Sequence, residues 1–235
     1  MSIFVQVFLN SLESGGIYAL ASLGIILIFR TSITTNYAHG AISMLNAIVA
    51  TYILLAINVP AYIAALLGML SAFIVGIVVD IVVISRTQNM DPVSKQIITL
   101  GLLMVFLGLA PMLFGTDPIQ FPRFVYGSYK IFGATISYNA ILNIAVVLGI
   151  MLFLFYMLQK SKWGLSIRST ASNEVGARMM GIPTSFVTMT SWAIAAALGT
   201  LSALMLAPTT SVSLSMMDGV QIIAFLSCVL GGFQT

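Results

Sequence analysis

Few side chains in this sequence can do chemistry. There is one histidine, His39, one cysteine, Cys228, and six carboxylates among 235 residues. Asn36, His39, Ser43 and Asn46 follow one another at spacings of three and four. A helix through them carries four polar groups on one face. In hydrocarbon such a face must turn toward protein or water. His39 then has two readings: a contact for cargo or protons on a path, or a hydrogen-bonded structural histidine at a helix break. Glu13 could bind a ligand amine, or reach water from the edge of its span. Asp80 lies near the end of an apolar run. A charge at mid-bilayer costs about 2.5–3.5 kcal/mol, so Asp80 is expected at an interface, paired there. No HExxH, His/Cys cluster or phosphate-cradling G-x-x-x-x-G-K-[ST] segment occurs. The sequence therefore offers no catalytic, metal or cofactor residues, and ATP hydrolysis, if used, belongs to a partner. Cys228 cannot form an intrachain disulfide.

The second polar concentration is residues 160–183, KSKWGLSIRSTASNEVGARMMGIP. It holds Lys160, Lys162, Arg168, Glu174 and Arg178. Ser172 or Asn173 can cap a short helix, with Glu174 in its first turn and Arg178 near its last. Gly181 is placed to end that helix and Pro183 to block its continuation. Val175 and Met179 share a face, with Met180 beside them. The stretch is either a docking element or an ordinary basic loop.

The order SKWG, the arginine of SIRS, then N-E-x-x-A-R-x-x-G-I resembles the cytoplasmic loop of permease subunits of branched-chain amino acid ABC importers. The matching positions are Lys162, Gly164, Arg168, Asn173, Ala177, Gly181 and Ile182. NYAHG (36–40), GIYALASLG (16–24) and VLGG (229–232) resemble further segments of that family. The resemblance implies that the loop carries a coupling helix seated in an ATPase groove, with Asn173, Glu174, Ala177, Arg178, Gly181 and Ile182 as coupling residues. It implies ABC ATPase subunits, a second permease subunit (identical or related) and an extracytoplasmic substrate-binding protein as partners. The cargo implied is a branched-chain amino acid, while similar relatives carry urea, short amides or other amino acids. The setting implied is a bacterial or archaeal cell membrane. Gln234 departs from the pattern where a glycine is expected, and family members continue with more glycines and at least one more span. The chain thus reads as truncated.

The elements that must position these residues follow from composition. Sixty per cent of the chain is hydrophobic and 6% charged, against about 25% charged in a soluble domain. The runs are continuous rather than alternating, so the fold class is an all-α polytopic membrane protein of one domain. Spans are expected over residues 7–29, 37–57, 61–84, 96–114, 138–159 and 185–207, with a seventh, incomplete one from Gly219. The second could break near Gly40. Gly101, Gly108 and Gly115 form a seam for a neighbouring helix, as do Ala193, Ala196, Ala197, Thr200, Ala203, Leu204 and Ala207. Pro208 is expected to end the sixth span. Residues 115–137, with Pro118, Pro122 and interleaved aromatics, read as an interfacial segment.

Seven of the nine basic residues lie in segments 30–36, 85–95 and 160–184, and only Arg123 and Lys130 lie elsewhere. This asymmetry predicts those three segments in the cytoplasm and the N-terminus outside. A net charge of +3 is too small and dispersed for nucleic acid, leaving membrane lipid as the surrounding partner. Three classes fit a chain of this kind: permease subunit of an ABC importer, stand-alone secondary transporter or channel, and membrane enzyme. The last lacks its residues. The second usually carries intramembrane charges for ion coupling, for which only Asp80 and Glu13 are candidates.

Overall fold

The computed structural model describes residues 2–87, 90–131 and 134–233. Phe132 and Gly133 of the interfacial segment, and Gln234 and Thr235 of the glycine-rich end, lie outside the described residues. The chain forms α1 (Ser2–Ser32), α2 (His39–Ile57), α3 (Ala61–Val82), α4 (Pro92–Phe114), α5 (Tyr138–Lys160), α6 (Lys162–Ser172), α7 (Glu174–Met179), α8 (Thr184–Thr210) and α9 (Asp218–Leu230). A 3₁₀ turn, Ile84–Thr87, follows α3, and an antiparallel hairpin, β1 (Ser128–Ile131) with β2 (Ala134–Ser137), precedes α5. Among the described residues, six helices (α1 to α5 and α8) are long and apolar enough to cross a membrane. The α9 helix is shorter, at 13 residues.

The packing explains the residue types. The α8 helix is the centre of the bundle, buried on most of its length, and its buried positions are largely small: Ala193, Ala195, Ala196, Gly199, Ser202, Ala203 and Ala207. Small side chains let backbones approach, and that approach replaces the hydrophobic drive missing in lipid. A Cβ on Gly76 of α3 would lie 2.6 Å from the Trp192 carbonyl oxygen and 2.7 Å from Ala193 Cα. The large apolar residues point outward instead, as with Leu66, Leu70 and Ile74 on α3 and Leu152, Phe153 and Tyr156 on α5. Buried hydroxyls are satisfied inside their own helices: Ser43, Thr51, Thr188 and Ser191 each donate to the carbonyl four residues back, at 2.7–3.1 Å.

The two ends of the bundle differ. One holds the C-terminal ends of α1, α3 and α5, the 3₁₀ turn, α6 and α7. Cavities there bring Lys95 and Glu174 together, and Arg30 and Arg168 together. This basic end carries all seven residues of the charge majority. The opposite end holds the hairpin. There Gln6 donates from Nε2 to the Thr135 carbonyl (2.9 Å) and accepts from the Thr135 amide at Oε1 (2.7 Å). Ile119 and Val212 exchange backbone hydrogen bonds of 3.0 and 2.8 Å, tying the two long loops of that end.

Several expectations need correction. The α2 helix starts at His39 and runs unbroken through Gly40. Pro208 does not end α8, which continues to Thr210. A proline near a C-terminus removes one amide donor but leaves the last carbonyls usable, and Ser211 donates its amide to Ala207 at 2.9 Å. The glycine seam of α4 meets nothing: Cβ atoms on Gly101 and Gly108 would have no neighbour within 4 Å, and Gly115 instead ends the helix at φ +81°. The interfacial segment contains the hairpin, which the prolines and aromatics did not announce. Gly76→Val should therefore strip the detergent-solubilised protein of its folded, monodisperse form, while Gly108→Ala leaves its melting temperature unchanged or raised; size-exclusion and thermal unfolding read both.

Candidate functional site

The α1–α2 connection, residues 33–38, turns back into the bundle. His39 packs against Gly24, which lies eight residues before the end of α1, about 12 Å along the helix axis. Irregular backbone at that depth must be satisfied by protein groups. Asn36 accepts the Ala38 amide at Oδ1 (3.0 Å). Thr99 of α4 accepts the Tyr37 amide at Oγ1 (3.2 Å). Gln221 of α9 accepts the Gly40 amide at Oε1 and donates from Nε2 to the Tyr37 carbonyl (2.6 Å). NYAHG is thus held by side chains from three directions.

The four polar residues of this region are all buried, each 1% exposed or less. Asn36 precedes α2, so it joins the cluster through its turn and not through helical periodicity. Ser43 donates to His39 O (2.7 Å), and Asn46 donates to Ile42 O (2.7 Å) while accepting from Ser71 of α3 (2.8 Å). His39 sits in a socket made by two glycines. A Cβ on Gly24 would lie 2.6 Å from its Cε1, and one on Gly199 2.8 Å from Cε1 and Nε2. A Cβ on Gly199 would also collide with Ser43 Oγ. The imidazole therefore joins α1, α2 and α8 at one point. Its Nε2 is buried without a hydrogen-bond partner. So are Thr200 Oγ1 and Trp192 Nε1 on α8, and Asp80 Oδ1 on α3. In a bundle that otherwise satisfies its hydroxyls internally, these unpartnered atoms are exceptions that a polar guest or a second arrangement of the helices would satisfy.

Asp80 lies two residues from the end of α3, near the basic end as expected, but it is turned into the protein and its Oδ1 has no hydrogen-bond partner. It is 3% exposed. One turn beyond Gly76 on the same face, it looks toward α8. Glu13 accepts from Asn143 Nδ2 at 2.8 Å, joining α1 to α5.

The basic end is built as a folded corner rather than a loop. Ser161 caps α6 by accepting the Gly164 amide (3.0 Å) and closes α5 by donating to Met157 O (2.6 Å). A Cβ on Gly164 would collide with the Leu158 backbone, so the glycine of SKWG is what permits this sharp turn. Trp163 Nε1 donates to Thr190 of α8 (2.9 Å). Asn173, not Ser172, caps α7, accepting the Gly176 amide at 2.9 Å. Glu174 and Arg178 pair at 2.7 Å, and Arg178 Nε donates to Thr184 Oγ1 of α8 at 2.8 Å. Gly181 has φ +80°, and the Ile182 amide returns to Ala177 O at 3.0 Å, a helix stop that favours glycine. Ala177 is buried against its own chain, whereas Val175, Met179 and Met180 are exposed by 64, 83 and 84%. The α6 helix was missed because its apolar content is low; the signal available was the serine three residues before Gly164.

Comparison with known proteins decides the family. The family described as "Branched-chain amino acid transport system / permease component" matches residues 7–235. The chain belongs to that family. The permease is 26% identical to the high-affinity branched-chain amino acid transport system permease protein BraD of Pseudomonas aeruginosa, over 97% of this chain and 79% of that protein. It is 24% identical to LivH of Salmonella typhimurium over the same shares, and 23% identical to a probable LivH of Methanocaldococcus jannaschii over 95% and 74%. No solved structure gives a significant match. The family-like segments of this permease meet in space: Gly24 ends GIYALASLG, His39 belongs to NYAHG, and Gly199 of α8 closes the socket.

The socket makes a coupled prediction. Gly24→Ala should lower stability, because the collision with His39 outweighs the gain of about 1 kcal/mol that helix propensity alone would bring. His39→Ala in the Gly24→Ala background should recover part of the loss, but not all, because the new Cβ also lies 3.1 Å from Ala195 O. Thermal unfolding of the two single variants and the double variant measures the coupling.

Proposed function

We propose that this permease is the transmembrane subunit of an ATP-driven importer and forms the path for branched-chain or related amino acids. The supporting observation is the corner at the basic end. A six-residue helix, α7, is capped at one end by Asn173 and stopped at the other by Gly181. It offers three exposed apolar side chains and is hydrogen-bonded through Arg178 to the first residue of the central helix. A soluble partner that grips Val175, Met179 and Met180 would move α8 with them. The α8 helix spans 27 residues, about 40 Å, and carries Gly199 against His39. A rigid-body shift of α8 would therefore be felt at the socket, the kind of motion by which packed helices gate.

In this reading the partner is an ATPase subunit, and the basic end faces the cytoplasm, the side that the charge asymmetry favours. Asn173, Gly181 and Ile182 shape the corner, Glu174 and Arg178 tie it together, and Ala177 packs beneath it. A second permease subunit and an external substrate-binding protein complete the machine, the latter facing the hairpin end. The names of the relatives support a branched-chain amino acid as cargo.

The docking claim is tested by pull-down of the cognate ATPase. Val175→Asp with Met179→Asp should abolish capture while leaving the melting temperature within about 1 °C, since exposed substitutions are normally within about 0.5 kcal/mol. Unchanged capture would remove α7 from the interface. Sidedness is tested separately: cysteine at Ser161 should be labelled only from inside intact cells, and cysteine at Ser128 only from outside. The reverse pattern would invert the orientation and the docking claim with it.

A further inference from the structure

A groove runs along the outside of the bundle between α1 and α5, with a cavity of about 460 Å³. Its walls are apolar: Leu23, Ile26 and Leu27 from α1, and Met151, Phe155 and Leu158 from α5. The α1 residues form one stripe, and the next position of that stripe is Arg30. Arg168 of α6 lines the same end of the groove, held by a 3.3 Å hydrogen bond from its guanidinium to Gln159 O. Among the described residues, no carboxylate lines the groove. Leu152 and Phe155, exposed by 69 and 63%, leave it open sideways, in the direction of the hydrocarbon.

We propose that this groove is a binding site for an anionic phospholipid, with an acyl chain along the α1–α5 walls and the phosphate between Arg30 and Arg168. The chemistry is specific in two parts. An apolar slot of this depth on two spanning helices suits a hydrocarbon chain. Two guanidiniums at its head suit a phosphate, which arginine binds through paired N–H donors. Basic pockets between spanning helices on the cytoplasmic side take anionic headgroups in this way, and the groove opens at the basic end.

The test is native mass spectrometry of the purified full-length chain, given an equal mixture of phosphatidylglycerol and phosphatidylcholine with the same acyl chains. One phosphatidylglycerol per chain should be retained over phosphatidylcholine by about fivefold or more. Arg30→Gln with Arg168→Gln should bring the two lipids to parity, and Leu27→Trp, which fills the slot, should reduce retention of both. If the double variant does not purify, Arg168→Gln alone, on an exposed side chain, should weaken the preference. Equal retention by the wild type, or an unchanged preference in the arginine variants, would overturn the proposal. Displacement of the lipid by inorganic phosphate would make this a free-phosphate site instead. Disulfide-linked dimers of Leu152→Cys in the membrane would assign the groove to a second copy, also against the proposal.

Discussion

The structure depends on one constraint: a stretch of non-helical backbone turns back inside an apolar bundle and must find all its partners in protein. Residues 33–38 carry that stretch. Water cannot satisfy it at that depth, so side chains from α4 and α9 do, through Thr99 and Gln221. The histidine at its end is then fixed in a socket that only glycine on α1 and α8 allows. Much else follows from holding these three helices so close. The α8 helix is lined with small residues, and the bulky ones are displaced to the outer faces of α3 and α5.

Stiffness at the basic end is the second constraint. The corner of α6 and α7 is stapled to α8 by Trp163 to Thr190 and by Arg178 to Thr184. Both hydrogen bonds land within the first two turns of α8, so a force on the corner is delivered to the helix end. The exposed Glu174–Arg178 pair is worth only about 0–1 kcal/mol, which makes the shape of the corner more important than its charge. Ala177 illustrates the point. Its sequence position suggested contact with a partner, but it is buried in its own chain, and the exposed surface falls to Val175, Met179 and Met180.

The sequence carried the fold class and the helix positions to within a few residues, because span length and continuous hydropathy are set by the bilayer alone. The polar face of His39, Ser43 and Asn46 was legible too, since polar spacing of three and four survives without tertiary information, whereas Asn36 joins it through a turn that the spacing does not show. The socket was not. Nothing in GIYALASLG says that its last glycine meets a histidine, because that contact joins residues on separate helices. The glycines of α4 show the reverse failure: a regular seam in the sequence meets no helix of this chain. The burial of Asp80 was also illegible, since distance from a helix end does not reveal which face a carboxylate occupies.

On the proposed function, this chain moves cargo only when an ATPase drives its central helix through the basic corner. Uptake of radiolabelled leucine into proteoliposomes tests it most directly, with the permease reconstituted alone or with its second permease subunit, ATPase subunits and binding protein. Uptake should require the whole assembly and ATP on the side of the basic end. Leucine accumulation by this chain alone, without ATP, would contradict the account and make it a transporter that works by itself.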